Sequence, residues 1–288
     1  MRTFAVLMVS ALLLAGIAGR PAGAEDAEIS ARRASERKTF SDDEIARGFF
    51  KTVFGAELRL RGRTDVVRKY DGPVRVFIET RAKPDRRADI AKVIDDIRAR
   101  VDHLDIAVTD DRSAANYFVV LVRERDLDRT VRKMYGRTKA KRIARLDPQC
   151  LSGFRKDDSY RIVQSNVLLV ADVSDFIFYD CAFEELLQAL GPINDTDVPW
   201  TMFNDDVQMG FFDVYDQYIL NILYDPRVRP GMTRQEIEIL LPDILPKIRK
   251  WISGVNLVRR LGASNDASSA LDNPSASIAD QQSPNEVE

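Results

Sequence analysis

Cys181-Ala182-Phe183-Glu184-Glu185-Leu186-Leu187-Gln188-Ala189-Leu190-Gly191-Pro192-Ile193-Asn194-Asp195 is the stretch around which the rest of the chain organises. Phe176, Phe183, Leu187 and Leu190 recur at spacings of three, four and seven, the apolar stripe of an amphipathic helix. Ser174 or Asp175 supplies its N-cap. Gly191-Pro192 ends it, because glycine accepts a left-handed cap and proline cannot continue the hydrogen-bond ladder. Asp180, Glu184 and Gln188 lie four apart and share one polar face.

Working outward, Val74, Val76 and Ile78 alternate within 73–80 and predict a strand with one buried face. Residues 116–122 are a continuous apolar run suited to the centre of a sheet, and 159–171 reads as a third strand. Between the first two, Ile90, Val93, Ile94, Ile97 and Val101 stripe a helix opened by Pro84-Asp85. Ser41 and Glu44 form a capping box for a helix running to about Phe54, and Thr233 with Glu236 forms another. Residues 211–223 make a strongly apolar helix that breaks at Asp225-Pro226. In the next helix Pro242 and Pro246 predict a kink or break, with Trp251 and Ile252 docking its end. The expected fold is an α+β domain, a mixed sheet packed on helices with Leu187 and Leu190 buried beneath it, followed by a C-terminal helical part.

Residues 1–24 combine Arg2, the apolar run from Phe4 to Ile17 and Ala22-Gly23-Ala24, the pattern of a cleaved signal peptide. The run is shorter than the roughly 20 residues a membrane span needs; an uncleaved anchor is the alternative. No later segment is apolar enough to cross a bilayer. Without Arg2 and Arg20, the 43 basic residues of the 288 fall to 41 against 45 acidic ones, which is no footprint for nucleic acid. Cys150 and Cys181 are expected to form a disulfide in an oxidising compartment, two separate buried thiols being the alternative. Residues 25–40 read as a flexible lead-in, 41–262 as one globular domain and 263–288, rich in Ser, Asn, Asp, Ala and Gln, as a disordered tail. The segment 125–145 carries Arg129, Arg132, Lys133, Arg137, Lys139, Lys141, Arg142 and Arg145. It is either a solvated helix face or a grip for an anionic ligand.

Three stretches carry a resemblance: 184–191 with Asn194-Asp195, Phe203-Asn204-Asp205-Asp206, and 223–233. Together they resemble an exported proteobacterial family known as domain of unknown function 2927, over roughly 73–251. The central helix also resembles the H-E-x-x-H helix of zinc peptidases, in particular the metzincin form with a following Gly and third His. That likeness implies a zincin-like fold, with Glu185 at the position of the general base. Glu184, Gln188 and Asn194 fall at the three ligand positions, and none is a histidine. Met232 is similar to the methionine turn of that class in residue type but not in its neighbours.

Catalytic zinc takes about three strong protein ligands plus an open position, and one carboxylate with two neutral amides is a poor set for it. The chain has a single histidine, His103, expected at the surface or half-buried. The oxygens of Glu184, Gln188, Asn194 and Asp195 suit calcium or magnesium better, or form a hydrogen-bond network at the helix end. The sequence therefore reads as an exported protein, periplasmic or secreted, that needs no cofactor and binds an unknown protein or envelope partner. Its zincin-like core is expected to act as a non-catalytic, pseudopeptidase binding or structural module. The alternatives are a metal-dependent hydrolase using Glu185 as base around an unusual Glu/Gln/Asn site, and an envelope scaffold acting through 125–145.

Overall fold

Alternating and continuous apolar runs assemble one sheet. A computed structural model of the chain describes residues 25–55, 65–144 and 149–271. The predicted signal peptide and the last 17 residues of the predicted tail, 272–288, lie outside them. The strands are β1 (Val74–Thr80), β2 (Ile106–Val108), β3 (Tyr117–Val122), β4 (Cys150–Lys156) and β5 (Ile162–Val170). Their order is β2-β1-β3-β5-β4; all pairings are parallel except that of β4 with β5.

The three expected strands are present as β1, β3 and β5. β3 and the second half of β5, Val167 to Val170, are buried on both faces, as their apolar runs require. Tyr117, Val119, Leu121, Val167 and Leu169 belong to the main core. Val120, Val122 and Leu168 belong to a second, smaller core on the other face.

The main core is closed by helices. α2 (Asp42–Val53) begins with the predicted capping box: the Ser41 hydroxyl accepts from the Glu44 amide, and the Glu44 carboxylate accepts from the Ser41 amide. α3 (Arg87–Arg100) buries Ile90, Val93, Ile94 and Ile97 against β1 and β2. α5 (Asp175–Gln188), capped by Ser174, lies under β4 and β5 with Leu187 and Leu190 fully buried. α6 (Val214–Tyr224) is buried all round, as its apolar composition demands. The smaller core is closed by α4 (Leu127–Ile143), which contributes Val131, Ala140 and Ile143. α4 bends at Gly136, whose φ of 75° and ψ of 164° interrupt the helical backbone.

Three expectations are corrected. Residues 25–40, expected as a flexible lead-in, hold α1 (Ala27–Ser35). A helix this short is marginal alone. Buried Ile29 holds it, with the Arg32 and Arg33 guanidinium groups over the Phe176 and Phe211 rings. Next, α7 (Arg234–Leu271) runs without a break through Pro242 and Pro246. Both prolines are on the exposed side, so the carbonyls they leave unbonded face water, while Ile237, Leu241, Ile244, Leu245, Ile248 and Ile252 pack into the core. Finally, α7 carries the backbone as helix to Leu271, past Gly262 where the sequence predicts the tail to begin.

Candidate functional site

α5 is locked into place at its C-terminus, where backbone carbonyls have no partner within the helix. Tyr117 of β3 donates its hydroxyl to the Leu186 carbonyl at 2.8 Å. Tyr70 donates to Ser165 at 2.8 Å, and Ser165 donates to the Ala189 carbonyl at 2.7 Å. Tyr224 of α6 donates to the Leu190 carbonyl at 2.9 Å. Gly191 follows with φ of 142°, and a side chain there would meet the Arg68 carbonyl at 2.5 Å and Leu223 at 2.9 Å. On the other side, the disulfide Cys150–Cys181 ties the middle of α5 to the edge strand β4, with Cα atoms 5.9 Å apart.

The polar face of α5 opens on a group of acids. One carboxylate oxygen each from Glu184, Asp195 and Asp205 lies within 4.8 Å of the others. Glu184 comes from the helix, Asp195 from the chain just after it, and Asp205 from the loop before α6. Burial pushes the Glu184 carboxyl up to about 9, and the charges of Glu185, Asp180, Asp195 and Asp205 add to the effect. Asp180, one turn earlier, accepts from the Met209 and Gly210 amides at 2.7 and 3.0 Å and so anchors the loop that carries Asp205.

The residues picked out in sequence fall into different roles. Gln188 donates its amide to Asp195 at 3.0 Å, and its oxygen accepts from Ser152 at 3.4 Å. Asn194 donates to the carbonyls of Lys51 at 2.8 Å and Asp195 at 3.0 Å, while its backbone amide bonds the Thr52 carbonyl at 3.1 Å. Its nitrogens therefore tie the chain after α5 to the end of α2. Glu185 is buried and is not one of the three gathered carboxylates. Its charge helps to raise the Tyr117 hydroxyl and, after burial, to push the Tyr135 hydroxyl up to about 12. Met232 accepts from the Val67 amide through its carbonyl at 2.8 Å and from the Arg229 amide through its sulfur at 3.2 Å. His103 is exposed, with φ of 62° and its ring nitrogen 3.2 Å from the Asp102 carboxylate.

The donors present do not fit a zinc centre. Two of the three expected ligand positions are neutral amides, whose oxygens are poor partners for zinc, and no imidazole stands among them. Three carboxylates match the oxygen preference of calcium or magnesium, but acids commonly gather at such loops without an ion.

The arrangement defines a disulfide-tied mixed α/β domain: a five-stranded sheet with an antiparallel edge, helices packed against it and a C-terminal helical part. The chain belongs to the family described as protein of unknown function (DUF2927), whose match covers residues 42–243. No curated protein and no solved structure matches the chain.

Proposed function

We propose that this chain is an exported, zincin-like module that binds or scaffolds in the cell envelope and does not catalyse. The observation that carries the reading is the parting of neighbours on α5: Glu184 joins Asp195 and Asp205, while Glu185 is buried outside that group. A metal-dependent hydrolase needs its base within reach of the metal-bound water. Here the residue at the base position is buried and is not one of the carboxylates that could hold an ion, which favours a non-catalytic reading. Zincin likeness is supported by the placement of the helix, which follows the last parallel strand and lies against the antiparallel edge strand. The disulfide supports an oxidising compartment, periplasmic or extracellular. No helix among the described residues is long and apolar enough to cross a membrane.

The test is to incubate the full chain with a broad peptide mixture, with and without zinc, calcium or magnesium, beside Glu185→Gln. The proposal expects no cleavage above buffer in any arm. Cleavage that depends on added ion and disappears in Glu185→Gln would establish the hydrolase alternative instead.

A further inference from the structure

On the other face of the sheet from Glu184, a cavity of about 1060 Å3 lies in the angle of bent α4, beside the end of β5 and the first turn of α5. Small-molecule sites usually span roughly 300–1,000 Å3, so this one is large enough to enclose a ligand. Its apolar wall is made by Val131 and Ile143 of α4, Val170 of β5 and Ile177 of α5. The arm of α4 before Gly136 brings an acid–base pair to the rim, Asp128 with Arg132 at 3.7 Å, and the exposed acid Glu124 lines the cavity just before that arm. The arm after Gly136 brings Arg137 and Lys141, both exposed, and no ion pair holds either one among the described residues.

We propose that this cavity binds a single-chain anionic amphiphile. Its acyl chain would lie along Val131, Ile143, Val170 and Ile177, and its carboxylate or phosphate head would sit on Arg137 and Lys141. A small polar anion would leave the apolar wall unused, and a neutral lipid would leave the two cations unmatched; only a ligand with both parts answers both walls. The bend at Gly136 sets the arm that carries Arg137, Lys141 and Ile143 at an angle to the arm that carries Val131. A straight helix would place Arg137 and Lys141 along the same axis as Val131.

Isothermal titration of the full chain with laurate, lauroyl-lysophosphatidate, dodecanol and inorganic phosphate tests this. Saturable binding of laurate or the lysophosphatidate is expected, at least about tenfold tighter than dodecanol, with no binding of inorganic phosphate. Preference for one of the two amphiphiles assigns the head group. The double variant Arg137→Gln/Lys141→Gln should weaken the anionic ligand about tenfold and leave dodecanol unchanged. Its unfolding midpoint should match the wild type, because both side chains are exposed. Inorganic phosphate binding as tightly as the amphiphiles, dodecanol matching laurate, an unaffected double variant, or no saturable heat would each overturn the proposal. A positive zinc or peptidase result at Glu184 would leave it standing, since that site is on the opposite face.

Discussion

The two faces of the sheet use alternate residues of the same strands and are finished in opposite ways. On the face carrying Tyr117, Val119, Leu121, Val167 and Leu169, several helices meet, and α5 is held by three side-chain hydroxyls at its end and a disulfide at its middle. On the face carrying Val120, Val122 and Leu168, one basic helix closes the core, bends at Gly136 and leaves a cavity. The helix that resembles a catalytic one is thus the most heavily fastened element, built into the centre of the core. Room for a ligand lies where packing is incomplete. A likeness at the level of one helix is therefore a weak guide to where binding occurs.

The largest contrast between the faces should appear in core truncations. Leu187→Ala, fully buried under the sheet, should cost about 2–5 kcal/mol of unfolding free energy. Val131→Ala on the α4 face should cost roughly 1 kcal/mol. Urea titrations of the two variants would show whether the faces differ; equal losses would remove the distinction. Next in size is the disulfide, which links β4 to α5 across 31 residues. Cys150→Ser/Cys181→Ser should lose about 3–4 kcal/mol on the chain-entropy account. A loss near zero in the same titration would mean that packing alone holds the edge strand to the helix.

A smaller effect depends on pH. The Glu184 carboxyl is raised from its ordinary 4.5 to about 9, so the folded chain holds this proton more tightly than the unfolded chain. The stability it contributes is fully present below 4.5 and is lost progressively as pH rises to about 9. Glu184→Gln, neutral and of the same shape, should match the wild type at the acid end. At the alkaline end it should be the more stable of the two, because it carries no charge to bury. Parallel pH–stability curves for the two proteins would show that Glu184 is not desolvated.

Much of the α5 face was legible because its signals are local. Ser174, the apolar stripe and Gly191 bound α5 correctly, and β1, β3 and β5 stand out as alternating or continuous apolar runs. β2 was missed since three residues, Ile106–Val108, show no period. β4 was missed because Leu151 and Phe154 are its only large apolar side chains and pairing with β5 forms it. Asn194 is placed at a ligand position only by the likeness to the metzincin helix, while its side-chain nitrogen bonds the end of α2, a contact across 143 positions that no local pattern encodes. Asp205 entered only through a family resemblance; its approach to Glu184 depends on Asp180 holding the loop. The basic run 125–145 was read as a face or a grip, and the cavity beside it appears only once Gly136 bends the helix over Val170.

The central claim is that α5 keeps the frame of a zinc helix without its zinc chemistry. Elemental analysis of the full chain, purified without chelators and dialysed against zinc, tests it most directly. The account predicts zinc well below one ion per chain, unchanged in Glu184→Ala and Gln188→Ala. One zinc per chain, lost on either substitution, would contradict it.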